Sequence, residues 1–369
     1  MNKDTLLKER QTRIDKAIAL DRPDRVPVIV SYALWAATVT GVPFPEFCVS
    51  VEKSGNKMIE AFELCGGADG LEFAGFSAYG NCFVFMSKVR VPGIDLPDDS
   101  HHQVAEMELM KIEDYDTILD MEWPEFYMGF LKTRVLDDVN PAHLPMSQPP
   151  FNAKAICDPL GIPLLTGGMV STPYEMLCGA RSLPKFMHDL FTIPDKVEAV
   201  MEHIVPHLSG LGCQMAKANG LPCVWVGGWR TASAMLSPKL WDRFAWPYFK
   251  RLVNEVVDAG LIAILHMDQD WTRDLARFRE LPKGRCIMSL DGATDIFKAK
   301  EIIGDHMCIM GDVPAAKFSH GTPDEVHDYC MKLISEIGPE GFILHSGCDI
   351  PANAKLENVK AMVYAATGK

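Results

Sequence analysis

Short runs of consecutive apolar residues alternate along this chain with longer stretches whose apolar positions recur every three or four residues. The runs fall at 26–30, 70–73, 163–166, 223–226, 262–266, 286–290, 308–310 and 342–345. Strands of a parallel sheet read this way because helices cover both of their faces. About eight such strands, each followed by a helical stretch, close a (β/α)8 barrel. An open doubly wound sheet would show the same alternation, but no GxGxxG turn follows the first run. The expected fold is α/β, a (β/α)8 TIM barrel.

The helical stretches carry their own punctuation. Ser237-Pro238 opens a pattern through Trp241, Phe244, Tyr248, Leu252 and Val256. Thr322-Pro323-Asp324-Glu325 joins an N-cap, a proline at the first helical position and a capping-box glutamate. Gly260 and Gly338 are stop signals. Ahead of the first strand, Leu6, Leu7, Ile14, Ala17, Ile18 and Leu20 share one face of an N-terminal helix. Its mixed charges favour packing on the protein over a membrane surface. Residues of about 76–150 break the repeat: the alternating run NCFVFMSKVRVPG predicts a hairpin or added strand, an acidic helical portion follows, and the proline-rich LPMSQPPFN ends it. With too little apolar content for its own core, this segment is expected as an excursion over the barrel mouth within one domain, 1–369.

Composition narrows the function classes. The chain has 369 residues, 48% of them hydrophobic, so a large core is available. A formal net charge of −13 argues against a nucleic-acid partner, which needs clustered Lys and Arg. No apolar run approaches the roughly 20 residues of a membrane span. The charged start lacks the apolar segment of a secretory leader, so the expected location is the cytoplasm. Eleven cysteines without a CxxC pair read as reduced, mostly buried thiols.

A barrel carries its chemistry at the C-terminal ends of its strands. That rule selects His266, Asp268, Asp270 and Trp271 from LHMDQDW, and His345, Cys348 and Asp349 from ILHSGCDIP. It adds Glu72, Trp229, Arg230, Asp291 and Asp312. His266 and Asp268, two apart, can face one mouth with Cys348, and imidazole, thiolate and carboxylate together suit Zn2+ with one position open for a substrate. Bland readings stand beside these. A lone His or Cys at a strand end is usually packed or hydrogen-bonded. Asp268 could cap the next helix, as could Asp270 or Thr272. Glu72 on an apolar strand needs a partner, and Arg230 would supply one without catalysis.

RPDRVPV near the start, the GTPDEV helix opening and the closing GCDIPANAKLENVKAM together resemble the uroporphyrinogen decarboxylase superfamily, from about Asp21 to the C-terminus. The resemblance implies a (β/α)8 barrel. Decarboxylases of this group carry an Arg-rich motif after the first strand, where this chain has VPVIVSYALWAATVTG with no arginine. The other branch comprises cobalamin-dependent methyltransferases, whose thiol-acting members bind zinc through an HxC pair and a distant Cys. Here His266 and Cys348 match, and Asp268 replaces the first Cys. A carboxylate hardens the site and favours an oxygen-bearing substrate. The implied function is zinc-dependent transfer of a methyl group from a methoxylated aromatic, or similar small donor, to the cobalt of a corrinoid protein. The alternatives are a methylcobamide:thiol methyltransferase, a decarboxylase of a smaller substrate, and a tetrapyrrole-binding module without chemistry. On this reading His266, Asp268 and Cys348 are metal ligands. Asp268, Glu72 and Asp312 are catalytic, with Glu72 a fourth ligand or a proton donor. Trp229, Arg230, Trp271, Phe73, Met169 and Asp291 line the substrate pocket, and a homodimer is plausible for the fold.

Overall fold

The structure, a computed structural model, describes residues 2–368. Its eight barrel strands, numbered here in chain order, are β1 (Ile29–Val30), β2 (Gly70–Leu71), β3 (Thr166–Ser171), β4 (Cys223–Gly228), β5 (Ile262–Met267), β6 (Cys286–Leu290), β7 (Cys308–Val313) and β8 (Phe342–Ser346). Strands β3 to β8 form one parallel sheet in sequential order, and β1 pairs in parallel with β2. Single parallel bridges join the two pieces, Leu71 to Leu164 on one side and Val28 to Leu344 on the other. The result is the α/β barrel arrangement that the apolar runs predict.

Period-two alternation sorts the strands into an inside and an outside. In β5, Ile264 belongs to the inner apolar cluster, while Ala263, Leu265 and Met267 belong to the outer one beneath the helices. The inner cluster also takes in Ile14, Ala17 and Ile18 from α1 (Lys3–Ile18). The N-terminal helix therefore seals the base of the barrel with the face its sequence predicts. Each fully buried Ile contributes roughly 1.5–3 kcal/mol there.

Three expectations need correcting. The third strand extends well beyond 163–166: Pro163 and Leu164 meet β2 only at a single bridge, and the ladder with β4 runs from Thr166 to Ser171. It then runs through Gly168, where a Cβ would sit 2.0 Å from the Gly212 carbonyl, because the helix Leu208–Ala218 packs directly on this strand. The pattern from Ser237 is two helices, Pro238–Phe244 and Trp246–Asp258, with Pro247 in the first turn of the second. In the excursion, GNCFVF is a helix (Gly80–Phe85), and only Val89–Arg90 is extended, paired antiparallel with Gln103–Val104. Tertiary packing overrides the alternating pattern there: Gly179 lets the helix Pro173–Arg181 approach the Phe85 carbonyl, where a Cβ would be 1.9 Å away. The excursion's buried residues, among them Val91, Met110, Tyr115 and Trp123, are continuous with the outer core.

Candidate metal centre

Strand β5 points Ile264 and then His266 into the barrel, and Asp268 follows just past its end. The turn beyond is bent at Gln269, whose φ is +71°. Asp291 holds this turn: its Oδ2 accepts the Gln269 N–H at 3.0 Å and its Oδ1 the Ala293 N–H at 2.8 Å. Trp271 Nε1 donates to the Asp268 carbonyl at 2.7 Å, bracing the same turn from below. From the other side, β8 leads through Ser346 and Gly347 to Cys348. A Cβ on Gly347 would lie 2.8 Å from the Asp291 backbone, so only glycine brings this loop close enough.

These constraints converge three donors. His266 Nε2 is 3.3 Å from Asp268 Oδ1 and 3.8 Å from Cys348 Sγ. Ligand atoms of all three lie within 4.8 Å of one another, and among the described residues this is the cluster with metal-binding geometry. Burial alone would lower the His266 pKa; the Asp268 carboxylate and the Cys348 sulfur outweigh it and raise it well above the ordinary value. The arrangement therefore attracts a cation. Imidazole nitrogen, carboxylate oxygen and thiolate sulfur form a donor set that fits zinc. Cys348 is exposed, whereas the other cysteines are buried.

A second polar group adjoins this cluster. Glu72 Oε2 is 3.4 Å from His345 Nε2, and Ser31 Oγ donates to Asp349 Oδ1 at 2.9 Å. Burial would raise the Glu72 pKa, but His345 and His266 hold it below the usual value. Asp349 itself is exposed at the rim beside Cys348. Glu72 thus pairs with His345 and not with Arg230, as its position suggested.

An aromatic wall rises on the β4 side. Trp225 stacks on His266 with ring centroids 5.1 Å apart and planes at 28°. Trp229 follows at 5.1 Å from Trp225, and Phe85 of the excursion at 4.7 Å from Trp229. Gly227 makes room, since a Cβ there would lie 2.5 Å from the Trp225 ring and 2.7 Å from that of Trp229. Met169, opposite Trp225 in the β3–β4 register, is 44% exposed.

Glu175, which the sequence did not single out, fixes this wall. It sits at the third position of the Pro173–Arg181 helix, where Thr172-Pro-Tyr-Glu reads as a capping box. Its side chain instead crosses to the loop after β4 and accepts the backbone N–H groups of Trp229, Arg230 and Thr231 at 2.8, 2.5 and 3.1 Å. Arg230 Nη1 lies 3.4 Å from Glu175, and Nη2 3.7 Å from Glu106 of the excursion.

The remaining expected site residues are dispersed. Trp271 is 1% exposed, packed among Phe249 and Phe278 in the core and not on the pocket wall. Phe73 packs half-buried against the outer core. Asp291 ties loops together. Asp312 turns away from the triad to accept the Tyr329 hydroxyl at 2.7 Å, and burial pushes its pKa up to about 7.

Fold and cluster define a (β/α)8 barrel with polar chemistry at its mouth. The chain belongs to the uroporphyrinogen decarboxylase (URO-D) family, whose profile matches residues 158–368, more than half of the chain. Uroporphyrinogen decarboxylase of Geobacter sp. (strain M21) is 26% identical over 55% of this chain and 59% of its own length. The chloroplastic uroporphyrinogen decarboxylase 1 of Oryza sativa subsp. japonica is 21% identical over 50% of this chain and 42% of its own. The chain thus spans about half the length of these relatives. A methyltransferase from Methanosarcina mazei has the same fold, with a TM-score of 0.69 at 17% identity over 96% of this chain and 97% of that one. Among the described residues, no helix is long and apolar enough to cross a membrane.

Proposed function

We propose that this protein is a metal-dependent methyltransferase that moves a methyl group from a methoxylated aromatic, or a similar small donor, to the cobalt of a corrinoid carried by a partner protein. The observation that carries the reading is the convergence of His266 Nε2, Asp268 and Cys348 Sγ within 4.8 Å at the barrel mouth. Zinc held by these three residues would act as a Lewis acid on the oxygen that loses its methyl group. Asp268 makes the donor set harder than a two-thiolate site, which favours oxygen over a thiol sulfur. Trp225 and Trp229 present aromatic surface next to the cluster, and Met169 adds an adaptable apolar contact opposite. Glu175 and Arg230 hold this wall in place.

Decarboxylation of a polycarboxylate fits the mouth poorly. Glu72, Asp268 and Asp349 gather there, and the nearby cation, Arg230, is engaged by Glu175 and Glu106. Buried free cysteines suit a reducing cytoplasm.

Elemental analysis of the wild type beside His266→Ala and Cys348→Ala tests the reading. About one zinc per chain should be present in the wild type and lost in both variants, with methyl transfer to a corrinoid falling roughly 100-fold or more. A wild type that transfers methyl groups undiminished after exhaustive chelation would remove the metal from the mechanism.

A further inference from the structure

Next to His266, Asp268 and Cys348 the barrel interior changes from apolar to polar within two residues. Ile287 and Ile343 belong to the inner apolar cluster, while Ser289 and His345, two positions on, present Oγ and Nδ1 without a hydrogen-bond partner, with His345 Nε2 turned to Glu72 Oε2 at 3.4 Å. Glu72 joins them with its Oε1 also unpartnered. All three side chains are buried. Buried polar atoms in native proteins nearly always have a partner. A group of them beside a candidate reaction centre points to a polar atom that arrives with a ligand.

We propose that Glu72 and His345 act together as the proton donor to the oxygen that gives up its methyl group. The inference rests on the aryl methyl ether reading above. Glu72 Oε2 faces His345 Nε2 at 3.4 Å, and a carboxylate beside an imidazole stabilises a proton shared between them. The groups facing the pair are few. His266 approaches from β5 and Asp349, on Ser31, from the loop after β8. Cys223 lies lower on β4, and Asp312, the register neighbour of His345, has its carboxyl on Tyr329.

The step balances. The methyl carbon–oxygen bond breaks with its electron pair left on oxygen, and the carbon bonds to the nucleophilic cobalt of the corrinoid acceptor. The proton moves from the Glu72–His345 pair to the oxygen, giving a neutral phenol. The pair regains a proton from solvent at the mouth.

The deciding experiment uses zinc-loaded protein without corrinoid. Binding of pentafluorophenol, ionised across the neutral range, is followed by tryptophan quenching as pH rises. Wild-type affinity should fall about tenfold per pH unit once the pair gives up its proton. In Glu72→Gln and His345→Gln the affinity should be weaker and flat across the same range, with zinc content unchanged. The same pH dependence in all three zinc-loaded proteins would overturn the proposal and leave the methyltransferase reading intact. Failure of the zinc-loaded wild type to bind the phenolate would remove the aryl ether reading, and the pair's role with it. With donors graded by the acidity of the phenol released, both variants should lose about 10²–10⁴-fold on the poorest leaving groups and little on the best. An equal loss along the series would reassign the pair to a structural role.

Discussion

Glu72 and Glu175 are both withdrawn from water inside the same barrel, and they are treated in opposite ways. Glu175 takes three backbone N–H groups on one oxygen and faces Arg230 with the other. Glu72 has an imidazole 3.4 Å from one oxygen and nothing on the other. Burial pushes Glu175 up in spite of its partners, whereas His345 and His266 bring Glu72 down. A saturated buried carboxylate organises the chain around it. One left half-satisfied beside a candidate reaction centre keeps bonding capacity for a ligand.

The contrast breaks most sharply on stability. Glu175→Ala strands three amide donors and a largely buried Arg230, and should cost about 3–5 kcal/mol in urea unfolding. Glu72→Gln should stay within about 1 kcal/mol of wild type, and an equal loss in both would erase the distinction. Gly227→Ala sharpens it next, because the wall that Glu175 supports must yield to the new methyl group. A loss of about 1–3 kcal/mol is expected, with altered tryptophan emission and weaker aromatic binding; unchanged emission would show that Trp225 and Trp229 do not depend on that gap.

Asp312 supplies a third buried carboxyl, and its effect is read through pH. Burial raises it to about 7, Tyr329 opposes, and Asp291 and Asp295 add to the rise. Because its proton is held more tightly in the folded state, its contribution is full below the unfolded value of 3.8 and is lost as pH rises through about 7. Asp312→Asn should remove that decline, up to about 1.4 kcal/mol per pH unit. An unaltered slope of stability against pH would assign the decline to other groups.

Much of the barrel was legible because strands covered on both faces announce themselves as apolar runs; β6 coincides with its run residue for residue. Pro163 and the glycines of β3 blurred one boundary. The short Gly80–Phe85 helix was hidden in an alternating pattern, since its neighbours and not its own sequence decide its conformation. Strand-end position and donor type made His266, Asp268 and Cys348 candidates, the family resemblance singled them out, and the structure brings the three side chains together. Trp271 shows the limit of that rule: an aromatic residue at a strand end can turn inward to the core as readily as to the pocket. His345 carried a signal, its period-two spacing from Ile343 on the inner face. Glu175 carried a misleading one, because its spacing from Thr172 imitates a cap while its side chain serves another loop.

The seal that Ile14, Ala17 and Ile18 place on the base of the barrel has a kinetic consequence. With that end filled, the rim that bears Cys348 is the side left for a ligand to approach the interior. A bulky methyl acceptor seated on that rim would shut the doorway behind whatever had already entered. On the methyl-transfer function proposed above, turnover would then be compulsorily ordered: the small donor boards first, the macromolecular acceptor docks second and departs first, and the demethylated product is the last to leave.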